Sequence, residues 1–305
     1  MNNERLPKGI KKIAYLFKET FSEFIGDNAL KLSAALSYYT IFSLPALLII
    51  VTSMCGLYFG TAAIQGELFD QIRGLVGDQS ALQIQEMIKN VKLSTHTTFA
   101  TVVGVIVLVI GASGIFAEIQ DSINYIWGIK AKPKRGLIRF IINRLMSFSM
   151  VASMGFLLLV GLIISSLMEL MNKRLLAHFP SETIYFYYIL NIISLLVLIT
   201  FLFLIIFKIL PDGKILLKDC MLGACFTAIL FMGGKFLIGA YLGSSAITTT
   251  YGSAGSIVLI LAWVYYSATI LYFGAEFTKV YSKCYGGKII PNAYTVLISK
   301  SAGNL

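Results

Sequence analysis

The chain has 305 residues, of which 57% are hydrophobic and 13% charged, with a mean hydropathy of +0.80. Soluble domains carry roughly 45–50% apolar and about 25% charged residues, so this composition excludes an ordinary soluble domain and indicates an integral membrane protein. The formal charge of +10 would direct a soluble chain toward nucleic acid, but in a membrane protein excess Lys and Arg first report topology.

The first element, residues 1–29, is amphipathic rather than spanning. Between Pro7 and Ile25 the apolar residues Ile10, Ile13, Ala14, Phe17, Phe21, Phe24 and Ile25 recur at helical spacing, with Lys8, Lys11, Lys12 and Lys18 on the remaining surface. Pro7 suits a first helical turn. Two readings fit this pattern: a cytoplasmic interfacial helix held by apolar burial and anionic head groups, or a helix packed on the protein's own cytoplasmic face. They are compatible with each other. Gly26-Asp27-Asn28 ends this helix and caps the next. The first apolar run is longer than the ~7–15 residues of a signal-peptide core, so an uncleaved anchor is expected.

Six apolar runs follow, at about 33–60, 98–127, 140–170, 184–208, 217–242 and 253–279. Each reaches the roughly 20 residues needed to cross a bilayer. The expected fold is therefore all-α: six transmembrane helices within residues 30–280, followed by a cytoplasmic tail, 281–305. Pro45 interrupts the first span and is a candidate hinge. The connection 61–97 carries Ser80 and Gln83 at capping-box spacing. Ile84, Met87, Ile88 and Val91 form one helical stripe, and Leu68, Ile72, Leu75 and Val76 another. They predict an extracytoplasmic helical pair, serving either as a packing lid or as a ligand-binding lid.

Lys and Arg divide unevenly between the two sides of these spans. Six fall in 1–32, six in 128–145, three in 208–218 and four in 279–305 (Lys279, Lys283, Lys288 and Lys300), against five in the outer connections, with Lys235 inside a span. The positive-inside rule then places both termini in the cytoplasm and accounts for the +10 without a nucleic-acid partner.

Polar residues at membrane depth are the functional pointers, because each charge there costs ~2.5–3.5 kcal/mol and normally faces protein or water. At about 1.5 Å per residue, Glu118 lies roughly 13 Å above the inner end of the second span and Asp121 roughly 9 Å. Gly111, Gly114, Glu118, Asp121 and Tyr125 fall along one face, and Asn124 lies about one turn below Asp121. Glu118, Asp121 and Asn124 are candidate cavity residues, with Tyr38 in the first span. Lys235 and Asn191, both roughly 10 Å below the outer surface, are candidates for a polar patch in the outer half; the alternative for Lys235 is snorkelling. Glu276 closes the last span and is a candidate for a structural ion pair, with Lys31 among its expected partners.

No constellation for catalysis is apparent. His96 and His178 lie in polar connections, the four cysteines show no metal spacing, and no Walker loop or zincin motif is present. Neither an enzymatic activity, a metal nor a cofactor is expected.

The segments Ala34–Leu48 ("AALSYYTIFSLPALL"), Asp121–Gly128 ("DSINYIWG"), Lys208–Ile215 ("KILPDGKI"), Gly234–Gly243 ("GKFLIGAYLG") and Tyr251–Tyr281 ("YGSAGSIVLILAWVYYSATILYFGAEFTKVY") together resemble the YihY/virulence factor BrkB family. The resemblance implies a six-span protein of the bacterial inner membrane with both ends cytoplasmic. The family's former ribonuclease label would require a His-x-His-x-Asp-His cluster, and this sequence has two isolated histidines. The resemblance points toward envelope integrity and lipid or amphiphile movement. The polar groups at two depths fit a transporter or flippase-like conduit for a lipid or anionic amphiphile. The alternative is a non-transporting scaffold that recruits envelope proteins. Membrane lipids are the expected partners, with other envelope proteins under the scaffold reading. The sequence assigns no oligomeric state.

Overall fold

The computed structural model describes residues 10–43, 73, 81, 82, 85, 114–131, 183–244, 255–292 and 294–298. Pro45, the third expected span and all but four residues of the outer connection 61–97 lie outside these; the four (73, 81, 82 and 85) are helical. The described residues are mostly helical, as expected. In chain order the helices are α1 (Ile10–Gly26), α2 (29–43), α3 (114–126), α4 (Thr183–Ile209), α5 (Leu217–Ser244) and α6 (Gly255–Cys284). Within α4, α5 and α6 the stretches Ile189–Ile209, Leu217–Ile238 and Ile257–Cys284 are long and apolar enough to cross a membrane. They match the fourth, fifth and sixth expected spans. The last helix continues five residues past the expected boundary at 279.

The amphipathic stripe does form α1, and it divides into two apolar faces. Leu16, Thr20 and Phe24 are buried, while Ile13, Phe17, Phe21 and Ile25 stay exposed. The buried face docks on α6, where Phe24 meets Phe273 edge-on at 5.5 Å, and Phe17, at the border of the exposed face, meets Phe226 of α5 at 5.4 Å. Lys12 lies over the Tyr285 ring, 4.2 Å from its centroid. Thus α1 packs on the protein and also presents a second apolar stripe outward. At its end Asn28 adopts a left-handed conformation, φ 52°, which Asn tolerates because its short polar side chain bonds locally. The Asp27 amide donates to the Glu23 carbonyl at 2.8 Å and the Lys31 amide to the Asn28 carbonyl at 2.8 Å, so α2 starts at once.

In α2 the hydroxyls of Ser33, Ser37 and Thr40 donate to carbonyls four residues back, at 2.8, 2.8 and 2.7 Å. These bonds satisfy polar side chains without water. Near its end α2 closes on α3, where a methyl added at Gly114 would come 3.0 Å from the Ser43 hydroxyl.

Helices α5 and α6 interlock through small residues. A side chain at Gly223 would overlap Thr278, and one at Gly274 would overlap Thr227. Each threonine hydroxyl bonds the carbonyl of the glycine one turn before it, Thr227 to Gly223 at 2.7 Å and Thr278 to Gly274 at 2.8 Å. The crossed pairs, 223 with 278 and 227 with 274, make the two helices antiparallel. This close backbone approach is the usual device of membrane helices, which gain no hydrophobic drive from lipid and rely on packing.

Two short antiparallel ladders gather the helix ends. β1 (Ile129–Ala131) follows the α3 cap at Gly128 (φ 69°) and pairs with β4 (Thr295–Leu297). β2 (Gly213–Lys214), between α4 and α5, pairs with β3 (Ile290–Pro291). The segment beyond α6 thus ties the turn after α3 to the turn between α4 and α5.

Candidate functional site

Three polar groupings occupy the end of the helices that the ladders bind together. The first centres on Lys279. Its ammonium lies 2.8 Å from Glu23, 3.1 Å from Asp27 and 2.7 Å from Glu276. It also donates to the Ile126 carbonyl at 3.0 Å. One cation therefore joins α1, the α1–α2 turn, the last turn of α3 and α6. Glu276 is 0% exposed, and the Lys279 ammonium that meets it at 2.7 Å comes from three residues along the same helix. Glu23 is partly exposed and also faces Lys283 at 3.7 Å. Burial pushes the Glu23 carboxyl upward, but the hydrogen bond and charge of Lys279, helped by Lys283, outweigh it and hold Glu23 below the ordinary glutamate value.

The carboxylate oxygens of Glu23, Asp27 and Glu276 lie within 4.8 Å of one another, the geometry of a cation site. The Lys279 ammonium contacts all three and takes that role.

The second grouping surrounds Asp212, fully buried in the turn between α4 and β2. Gln120 and Asn124 of α3 donate to its two carboxylate oxygens at 3.1 and 3.0 Å, and the Tyr294 hydroxyl donates at 3.2 Å. The Asp212 amide donates to Asn124 at 2.8 Å, and the Thr295 hydroxyl donates to the Asp212 carbonyl at 3.0 Å. Charge-assisted bonds of this kind are roughly twice as strong as neutral ones. They fix the α4–α5 turn against α3 and the β4 segment.

The third grouping is deeper. Ser122 of α3 donates to Glu118 at 3.5 Å, and the fully buried Tyr272 hydroxyl lies beside Ser122. Tyr272, Glu276 and Lys279 follow one face of α6 at positions i, i+4 and i+7. Trp127 donates its indole N–H to the Ala275 carbonyl at 3.1 Å, so α3 and α6 run side by side here. The result is one polar column, from half-buried Glu118 through Ser122, Tyr272 and Glu276 to the Lys279 cluster, ending at Lys283, whose side chain is 52% exposed.

The sequence-derived candidates distribute unevenly over this arrangement. Glu118 and Glu276 belong to the column, and Asn124 to the Asp212 grouping. Asp121 is exposed, as are Tyr38 and Asn191; Lys235 is half-buried on α5, beside Gly234, where a side chain would overlap the Tyr266 ring and hydroxyl. The structure brings Lys279 to Glu276, while Lys31 is exposed. By sequence position Lys279 is one of the basic residues beyond the last expected span and Asp27 is part of a helix cap. A signal was present in the last segment of the resemblance, where Lys279 follows Glu276 at i+3 on an otherwise apolar helix.

A family model described as Virulence factor BrkB matches residues 20–293. A UPF0761 membrane protein of Pseudomonas paraeruginosa is 26% identical over 258 residues, covering 83% of this chain and 59% of that protein. A second, from Saccharophagus degradans, is 24% identical and covers 86% and 58%. A third, from Vibrio vulnificus, is 26% identical and covers 90% and 83%. The chain thus spans about three-fifths of the length of the Pseudomonas and Saccharophagus relatives. No solved structure matches.

Proposed function

The chain belongs to the virulence factor BrkB family of membrane proteins, and on that premise we propose that it is a conduit, transporter or flippase-like, for a lipid or another anionic amphiphile in envelope maintenance. It crosses the bacterial cytoplasmic membrane six times with both termini in the cytoplasm. The sidedness rests on charge: residues 1–31, the segment after α3, the end of α4, the start of α5 and the end of α6 with the residues beyond it carry most of the Lys and Arg.

The observation that carries the transport reading is the polar column. At ~2.5–3.5 kcal/mol per buried charge, a membrane helix does not retain an acid such as Glu118 for packing alone. Asp212 and the Lys279 cluster have architectural work, tying helix ends together. Glu118 does not: among the described residues its hydrogen-bond partner is Ser122 at 3.5 Å. In this reading Glu118 is the working acid of the inner half, and Lys235 meets an anionic head group in the outer half. The test is flux of a labelled anionic lipid in proteoliposomes carrying Glu118→Gln, Asp121→Asn or Lys235→Met. Loss of flux in the Glu118 and Lys235 variants is expected; normal flux in all three removes their assigned roles.

The scaffold reading is favoured by a different observation. The Asp212 grouping is filled by neutral donors from α3 and β4, as a rigid, dry bundle end requires. A water-accessible cavity reaching Glu118 would count against the scaffold reading.

A further inference from the structure

We propose that the outward face of α1 is a binding surface for anionic phospholipid, in which Ile13, Phe17, Phe21 and Ile25 enter the acyl layer while Lys11 and Lys18 meet the lipid phosphates. The inference rests on membrane insertion and not on what the protein transports.

The faces of α1 follow one another round the helix. Leu16, Thr20 and Phe24 form the docked face and are buried. Ile13, Phe17, Phe21 and Ile25 step by four residues, a spacing that turns slowly away from the docked face. They are 58%, 43%, 60% and 51% exposed. Next come Lys18 and Lys11, seven residues apart on one edge and both exposed. Ser22 and Tyr15 lie beyond them, and Glu19, Lys12 and Glu23 complete the circle on the far edge. The exposed stripe is thus bounded by protein on one side and by lysines on the other, and among the described residues of α1 no carboxylate falls between them. A helix lying in a membrane interface has this layout, with its apolar side in the chains and lysines reaching phosphate depth.

The neighbours of the stripe identify its occupant. Phe17 touches Phe226 of α5 at 5.4 Å and Phe277 of α6 at 6.5 Å. Both rings belong to stretches long and apolar enough to cross a membrane. One turn to either side of Phe226, Leu222 and Ile229 are exposed. The stripe therefore continues a surface that the bilayer covers. Its height agrees. The apolar stretch of α6 has 28 residues, about 42 Å of helix against a hydrocarbon core of ~30 Å, so it extends into the head-group layers. Phe273 and Phe277, which hold α1, stand eleven and seven residues before Cys284, roughly 16 and 10 Å from that end. An amphipathic helix held there lies at the border between acyl chains and phosphates.

Charge selects the lipid class. The positions one turn from Lys18 are Ala14, Tyr15, Phe21 and Ser22, none of them acidic. Lys12 is different: its ammonium lies over the Tyr281 and Tyr285 rings, 5.3 and 4.2 Å from their centroids, and so faces the protein. A zwitterionic head group brings its own ammonium to its phosphate, whereas an anionic one leaves net charge for the lysines. Each lysine beside an anionic surface contributes about a fivefold preference, weakened by salt.

The test uses the full chain in nanodiscs of phosphatidylcholine with a minority of phosphatidylglycerol. Equal amounts of bromine are carried on the chains of one lipid or the other. Phe21→Trp places a reporter on the stripe, and the signal of Trp127 and Trp263 is subtracted with the parent chain. Brominated phosphatidylglycerol is expected to quench the reporter several-fold more than brominated phosphatidylcholine. Lys11→Gln combined with Lys18→Gln should remove that preference and keep the reporter in contact with lipid, and Lys12→Gln should retain it. A reporter quenched by neither lipid, because a second copy or another protein covers the stripe, overturns the proposal, and so does equal quenching by both. The wild type supplies a readout that needs no substitution. Acetylation of Lys11 and Lys18, followed by mass spectrometry, should be slower in discs containing phosphatidylglycerol than in phosphatidylcholine alone, with Lys12 little changed. Equal rates at all three lysines in both discs would overturn the proposal. Absence of lipid flux with the preference intact would overturn the transport reading and leave this one standing.

Discussion

Replacing Lys279 with Met should release α1. The substitution preserves most of the stem volume and removes the ammonium from contacts at 2.7–3.1 Å with three carboxylates. Glu23 keeps Lys283 and partial exposure, so its share of the cost is small. Asp27 and Glu276 are different, with side chains 8% and 0% exposed. Removing one partner of a buried pair costs about 3–5 kcal/mol, because the remaining charge is left without compensation. Undocking α1 carries Glu23 and Asp27 toward water, so this cost appears as weakened docking. Taking the low end, ~3 kcal/mol is about a hundredfold rise in the undocked population. Trypsin cleavage at Lys18, exposed on α1, reads that population when opening and closing outpace cleavage. The expected result in nanodiscs is cleavage about a hundredfold faster than wild type. Adding Asp27→Asn and Glu276→Gln should recover most of the difference, since no buried charge is then stranded. Cleavage of Lys279→Met at the wild-type rate would refute the reasoning.

Four further outcomes follow from the same contacts. Asp212→Ala strands the Gln120 and Asn124 amides and the Tyr294 hydroxyl; it should lower stability by about 3 kcal/mol or more, read by thermal unfolding, and make the 285–298 segment protease-sensitive. Gly223→Val drives a branched side chain into Thr278 and should lower the melting temperature by the ~1–3 kcal/mol of overpacking or more; an unchanged melt would place the α5–α6 contact elsewhere. Glu23 is held below its ordinary value of 4.5, so its contribution to α1 docking is present above that pH and lost as pH falls through its own lowered value. A spin label at exposed Ser22 should therefore gain mobility on acidification below about pH 4.5. Phe21→Trp, on the outward stripe of α1, should be quenched by brominated lipid, whereas Phe24→Trp on the docked face should be quenched less.

Much of the helical layout could be read from periodicity and length. The α1 stripe and the apolar stretches of α4, α5 and α6 depend on local pattern, which a sequence displays directly. The two polar clusters depend on residues far apart in the chain. Lys279 meets Asp27 across 252 positions, and Asp212 meets Gln120 and Asn124 across 92 and 88. By position alone Lys279 is one more cytoplasmic cation and Asp212 a turn residue of "KILPDGKI". Burial of each becomes tolerable only through partners on other elements. In the sequence, residues 281–305 read as a tail. Its strands are two and three residues long, too short for an alternating pattern to emerge. Asn124 was singled out for its place on α3, but its function as the clamp on Asp212 required the fold.

The proposed movement of an anionic amphiphile across the bilayer has a direct test. The most direct measurement is the rate at which a head-group-labelled phosphatidylglycerol, placed in one leaflet, reaches the other in vesicles containing the wild-type protein, beside protein-free vesicles of the same lipids. Transfer well above the protein-free rate, slowed by Glu118→Gln, is expected. A wild-type rate equal to that of protein-free vesicles would contradict it.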